Sequence, residues 1–228
     1  MLWRCLYISL IYKDYIKKYL DKLTKYKEDE IMIQMRKEAE EKHFPIMRES
    51  LACFMDIVIR TTKPRNILEI GTCIGYSSLV MYRAMAQRGR IVTIEIDYDL
   101  VCQARNYFKM AGADEDIFIY NGDAEEILEY MDGEFDIIFM DGPKGQYCSY
   151  LTHCLRLLKP GGLLICDDVL FYGMVASDKI VNKKKGTIVR EMKKFLNTIS
   201  NHSNLSTIII PLGDGISISY KKEDKARI

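Results

Sequence analysis

The sequence predicts an α/β fold: a mostly parallel seven-stranded sheet with helices on both faces, an antiparallel C-terminal hairpin and extra N-terminal helices. Three observations predict it. Past Pro64, short apolar runs alternate with helical stretches, and regular βα alternation produces a parallel sheet. Several of those runs stop at glycine or acidic residues, as strands do where an open α/β sheet binds ligands. The last two runs flank Gly213-Asp214-Gly215, a hairpin turn that sets the final strand antiparallel to its neighbour.

The elements follow in order. Met1 to Tyr12 is apolar except for Arg4. It is too short to span a bilayer and lacks a small-residue cleavage site. It reads as a docking helix or as an added start upstream of the natural one. Lys13 to Lys42 is dense in charge, with Tyr15, Leu20, Leu23, Ile31, Ile33 and Met35 between the charges, the pattern of one or two amphipathic helices. Ser50–Thr61 is a further helix. Residues 1–62 thus form a helical extension that packs on the core and offers a surface to a partner subunit. Residues 63–228 carry the sheet.

In that core the expected strands are Asn66–Ile70, Ile91–Glu95, Ile117–Asn121, Phe135–Asp141, Leu163–Asp167, Thr207–Leu212 and Ile216–Lys221. The expected helices between them are Tyr76–Gln87, Leu100–Ala111, Ala124–Met131, Gln146–Leu158 and Thr187–Asn201. Lys159-Pro160-Gly161-Gly162 reads as a turn.

The chain has 228 residues, 48% of them hydrophobic, enough for one domain with a large core. Its 33 basic and 32 acidic residues nearly balance. A global electrostatic case for nucleic-acid binding therefore fails, leaving a local patch as the remaining route. Seven cysteines without a CxxC pair point to a reducing, cytoplasmic compartment. Cys53, Cys73, Cys102, Cys154 and Cys166 sit in apolar runs, where thiols act as small core hydrophobes.

Two clusters carry chemistry. The first is at the carboxyl ends of the early strands. Gly71-Thr72-Cys73-Ile74-Gly75 follows the first strand, and its glycines allow a tight turn and close approach to a ligand. It lacks the middle glycine of the dinucleotide fingerprint, which argues against a NAD enzyme and for a nucleoside ligand without a pyrophosphate. Glu95 ends the second strand, 24 positions after Gly71, where an acid accepts from a ribose diol. Gly122-Asp123-Ala124 follows the third strand, beside the crevice for an adenine. The alternative makes Gly71 and Gly75 a plain βα turn, Glu95 a surface strand end and Asp123 a helix N-cap. The second cluster is Asp141, Asp167 and Asp168 with Lys144. Carboxylates suit Mg²⁺, Mn²⁺ or Ca²⁺. A lysine beside a bound cation is expected to have a lowered pKa and to act as a base.

Together, Glu69-Ile70-Gly71-Thr72 with Gly75-Tyr76-Ser77, the strand end at Glu95, Gly122-Asp123-Ala124, Asp141 with Lys144 and Tyr147, and Asp167-Asp168-Val169 resemble the class I, cation-dependent O-methyltransferases that use S-adenosyl-L-methionine. The resemblance covers nearly the whole chain from about Lys42. It implies a Rossmann-like methyltransferase domain over 63–228 and a homodimer. It implies cofactor contacts from Glu69, Gly71, Thr72, Gly75, Tyr76, Ser77, Glu95, Gly122, Asp123, Ala124 and Asp141. It implies a divalent cation, Mg²⁺ first, on Asp141, Asp167 and Asp168, with Asp141 and Lys144 catalytic. One departure stands out: the family usually has Asp-Asn where this chain has Asp167-Asp168.

A second set is similar to the bacterial tRNA 5-hydroxyuridine methyltransferase branch. It comprises His43-Phe44-Pro45-Ile46-Met47, Lys144-Gly145-Gln146-Tyr147, Asp168-Val169-Leu170-Phe171 and Pro211-Leu212-Gly213-Asp214-Gly215. That resemblance implies methylation of 5-hydroxyuridine at the wobble position of the tRNA anticodon loop, giving 5-methoxyuridine. Lys183, Lys184, Lys185 and Arg190 form a basic segment suited to phosphate contacts, with a solvated surface as the plain alternative. Tyr147 and Phe171 are candidates to stack on an unpaired base, or else core residues. The competing substrate is a small catechol-like or acyl-CoA-linked hydroxylated aromatic. No partner membrane is expected.

Overall fold

The computed structural model describes residues 13–177 and 183–223; the reading of Met1 to Tyr12 falls outside them. The helices are α1 (Asp14–Leu23), α2 (Glu30–Lys42), α3 (Glu49–Thr62), α4 (Tyr76–Ala84), α5 (Tyr98–Met110), α6 (Ala124–Tyr130), α7 (Tyr147–Leu157) and α8 (Gly186–Asn201). The strands are β1 (Asn66–Ile70), β2 (Arg90–Glu95), β3 (Ile117–Asn121), β4 (Phe135–Met140), β5 (Leu158–Cys166), β6 (Leu205–Ile210) and β7 (Ile216–Lys221). They form one seven-stranded sheet in the order β3-β2-β1-β4-β5-β7-β6. This is the expected α/β sheet, with an antiparallel hairpin of β6 and β7 at its end.

The chain packs as two compact units, one of residues 24–131 and one of residues 13–23 with 132–223. In the first unit, β1, β2 and β3 pair in parallel, Glu69 opposite Thr93 and Glu95 opposite Asn121. α2 buries Met32, Met35 and Ala39, spaced three and four apart so that they share one face. Asp29 caps α2 by accepting from the Met32 N–H at 3.0 Å, which satisfies an orphan donor of the first turn. α3 buries Leu51, Ala52, Met55 and Ile59 and packs along α4. Arg36 on α2 bonds Glu28 at 2.8 Å and the Tyr76 hydroxyl at 2.5 Å, tying α2 to the start of α4.

In the second unit, β4 and β5 pair in parallel and β5 pairs with β7 antiparallel. Lys159 to Gly162 is not a turn: these residues lie within β5, and the β4–β5 register shifts between Phe135 and Ile137 to admit them. A bulge takes up the extra residues, which local turn chemistry cannot distinguish from a chain reversal. A Cβ on Gly162 would come within 2.9 Å of the Asp136 carbonyl oxygen. α8 buries Val189, Met192, Phe195, Leu196 and Ile199 along one stripe.

Cys154 and Cys166 are buried as expected, Cys53 and Cys73 are half-buried, and Cys102 is exposed. The stripe of α5 that faces the core is Val101, Ala104, Tyr107 and Phe108, and position 102 lies off it.

Candidate active site

The turn after β1 is built by backbone and by one carboxylate. Gly71 has φ +103, and its N–H donates to the Ile94 carbonyl at 3.0 Å. Gly75 has φ +86, and a Cβ there would lie 2.5 Å from the buried ring of Phe108. The glycine is therefore required by both conformation and space. Between them, the Cys73 N–H donates to Glu95 at 2.8 Å, and the other Glu95 oxygen accepts from the Asp97 N–H at 3.0 Å. A carboxylate has about four acceptor sites, so half-buried Glu95 retains lone pairs for a further donor.

Glu69 is fully buried. One of its oxygens accepts from Ser77 at 2.5 Å; the other accepts from Ser78 and, at 2.8 Å, from Thr93. The Thr72 and Thr93 hydroxyls lie 2.6 Å apart. Tyr76 is also buried, its hydroxyl bonded to Glu28 and Arg36. The polar side-chain atoms of Glu69, Thr72, Tyr76 and Ser77 therefore brace the turn from inside. Ser78 and Thr93 were not singled out from the sequence. Nothing local marks them, because their partner Glu69 sits on a separate element. Asp123 caps α6 by accepting from the Glu125 N–H at 2.8 Å, as the plain reading has it. Gly122 has φ +156 and donates to the Glu95 carbonyl at 3.0 Å. Ala124 is the first residue of α6.

The other cluster lies at the ends of β4 and β5. Asp141, Asp167 and Asp168 each place a carboxylate oxygen within 4.8 Å of the others. Lys144 Nζ is 2.6 Å from Asp141 and 3.8 Å from Asp168. It also donates to the Tyr147 hydroxyl at 3.0 Å. That hydroxyl lies 3.0 Å from the Met140 carbonyl and 3.1 Å from the Asp167 carbonyl, so its single proton joins one strand end or the other. Asp167 accepts from the Asp168 N–H at 2.7 Å.

Burial, and then the charges of Asp141 and Asp168, hold the Asp167 carboxyl well above the usual carboxylate range. Burial works against the ammonium form of Lys144, but Tyr147, Asp141, Asp168 and Asp167 outweigh it and leave its pKa raised well above the ordinary lysine value. The depressed lysine expected from the sequence is thus not a property of the chain by itself. Three close carboxylates favour a positive neighbour. Hard oxygen donors at this spacing, in charge excess over one lysine, fit a divalent cation.

Tyr147 is fully buried, edge-on to Phe195 at 5.3 Å between centroids. It is a core residue with its hydroxyl in the site, and no base can stack on it. Phe171 is half-buried and tilted against Tyr172, with Lys185 Nζ 5.2 Å from one ring and 4.6 Å from the other. Lys183 to Lys185 form a single 3₁₀ turn before α8. Arg190 is exposed and pairs with Glu191 at 3.5 Å.

The O-methyltransferase family model matches residues 22–222. The chain belongs to the O-methyltransferase family. It is an S-adenosylmethionine-dependent O-methyltransferase. A catechol O-methyltransferase of Niastella koreensis is 35% identical over 129 residues, 55% of this chain and 58% of that one. A Staphylococcus aureus structure provisionally named caffeoyl-CoA O-methyltransferase is 30% identical with a TM-score of 0.83, covering 91% of this chain and all of that one. The O-methyltransferase TomG of Streptomyces achromogenes, solved with S-adenosylmethionine, is 25% identical with a TM-score of 0.79 over 92% of this chain and 97% of its own. Among the described residues, no helix of this methyltransferase is long and apolar enough to cross a membrane.

Proposed function

We propose that this O-methyltransferase moves the methyl group of S-adenosylmethionine to one of two neighbouring oxygens on a small catechol-like aromatic ring. The carrying observation is the cluster of Asp141, Asp167 and Asp168 beside Lys144. These three carboxylates would hold the metal, Mg²⁺ first. When bound, a divalent cation lowers the pKa of a chelated hydroxyl and fixes the direction of its oxygen. Catechol and caffeoyl-CoA, named in the relatives, fit this reading because a ring with adjacent oxygens offers two donors at once.

The chain's own residues supply the rest. Gly71 and Gly75 bring backbone close to the sulfonium cofactor, and Glu95 accepts from its ribose. Lys144 holds or moves a proton at Nζ next to the substrate oxygen. The hydroxyl proton passes to solvent, and as the oxygen–methyl bond forms the methyl–sulfur bond breaks and S-adenosylhomocysteine leaves. The main contribution of the protein to that step is alignment.

A second reading is supported by Lys185 lying over Phe171 and Tyr172, next to the basic run Lys183-Lys184. In it, the hydroxyl and the O4 carbonyl of 5-hydroxyuridine are the two oxygens, and tRNA is the substrate. Methyl transfer to caffeic acid, to tRNA containing 5-hydroxyuridine and to unmodified tRNA, each with and without chelator, separates the two. Turnover of caffeic acid that chelator abolishes supports the first reading. Transfer confined to the hydroxylated tRNA replaces it with the second. Turnover unaffected by chelator removes the metal from both.

A further inference from the structure

The segment that follows β5 carries Asp168 and has an unusual backbone. Asp168, Phe171 and Tyr172 have φ of +54, +44 and +57, and Gly173 has +74. Non-glycine residues enter this left-handed region rarely, and three in five positions need something to hold them there. The structure provides it from the β6–β7 turn. The Val169 N–H donates to the Gly215 carbonyl at 2.9 Å, and the Leu170 N–H to the Asp214 carbonyl at 2.9 Å. The Tyr172 N–H lies 2.7 Å from each Asp214 carboxylate oxygen. Asp214 is itself 3% exposed. Leu170 fills the space beside Gly215, where a Cβ would come within 2.3 Å of its Cγ. The Gly215 N–H closes the turn on the Leu212 carbonyl at 2.9 Å.

We propose that Asp214 is a positioning residue for the metal-binding carboxylates. It clamps the backbone at Tyr172, which fixes the left-handed loop and so keeps Asp168 facing Asp141 and Asp167. The inference rests on the metal reading of that cluster. Asp214 is placed to act through the loop, which it holds at the Tyr172 N–H. A buried carboxylate suits this task because both of its oxygens can share one backbone N–H, and burial keeps water from competing for it.

The test is calorimetric titration of the full chain with Mn²⁺, alongside titration with S-adenosylmethionine. Asp214→Ala should weaken Mn²⁺ binding by about 10-fold or more, as loss of an outer-shell partner does at metal sites. Its cofactor affinity should stay that of the parent, since a positioning role at the metal leaves the Gly71–Gly75 turn untouched. Asp214→Asn keeps one acceptor for the Tyr172 N–H and should show a smaller loss in the same direction. If the alanine variant does not fold, the asparagine variant is the reading. A folded variant that binds Mn²⁺ as tightly as the parent overturns the proposal. A variant that loses both ligands equally also overturns it, because that is what general damage to the fold produces. If the parent chain binds no Mn²⁺ and Asp141→Ala changes nothing, the metal reading itself fails, which is a different result from an intact metal site indifferent to Asp214.

Discussion

Replacing Gly75 with alanine tests how the cofactor turn is built. Gly75 has φ +86, and a left-handed L-residue costs about 1–2 kcal/mol. The new Cβ would stand 2.5 and 2.6 Å from the Phe108 ring and 3.3 Å from the Ala104 methyl. Phe108 is 1% exposed, so the ring cannot swing aside without opening the core. Overpacking of that kind adds about 1–3 kcal/mol. The sum is about 2–5 kcal/mol. At about 2–4 °C per kcal/mol for a chain of this size, Tm should fall by about 4–20 °C. Circular dichroism melts measure this directly. Calorimetry with S-adenosylmethionine should show weaker binding in the same variant, because relieving the clash displaces the Cys73 N–H from Glu95. Adding Phe108→Leu removes the clashing ring atoms. A double-mutant cycle should then show a favourable coupling of about 1–3 kcal/mol. An alanine variant that melts with the parent and binds cofactor equally would refute the steric argument, and zero coupling would place the strain elsewhere.

Further outcomes are expected. Glu69→Ala leaves the Ser77, Ser78 and Thr93 hydroxyls without their buried acceptor. Each such group costs about 1–3 kcal/mol, so the urea midpoint should drop sharply, and an unchanged midpoint would contradict the network. Asp141→Ala should abolish methyl transfer while cofactor affinity by calorimetry stays within a few-fold; activity that survives in chelator would remove the metal assignment. Asp168→Asn should keep Mn²⁺ binding and turnover, since an amide oxygen still coordinates a hard cation, and complete loss of metal binding would show that the second carboxylate is indispensable. Changing Lys183, Lys184 and Lys185 together to alanine should raise KM for 5-hydroxyuridine tRNA. It should also flatten the log–log salt slope by about 0.7–0.9 per lost phosphate contact. An identical slope would make the run a solvated surface.

The sequence by itself determined the order and type of the sheet-forming elements. Apolar runs that stop at glycine or acid, as at Ile70-Gly71 and Met140-Asp141, are local signals, and a strand end is legible wherever the polarity changes abruptly. It also determined the chemical inventory, because three aspartates and a lysine at strand ends admit few uses. What tertiary structure decided involves partners far apart in the chain. Lys159 to Gly162 has turn composition, yet it is drawn into β5 because β4 and β7 flank that strand and the bulge accommodates the surplus. Glu69 ends up among Ser77, Ser78 and Thr93, so its carboxylate faces inward. The protonation of Lys144 follows from four neighbours whose summed field outweighs burial. Tyr172 and Asp214 are separated by 42 positions, and no periodicity or motif connects them. Their contact exists because β7 pairs with β5 antiparallel, which returns the hairpin turn to the loop that carries Asp168.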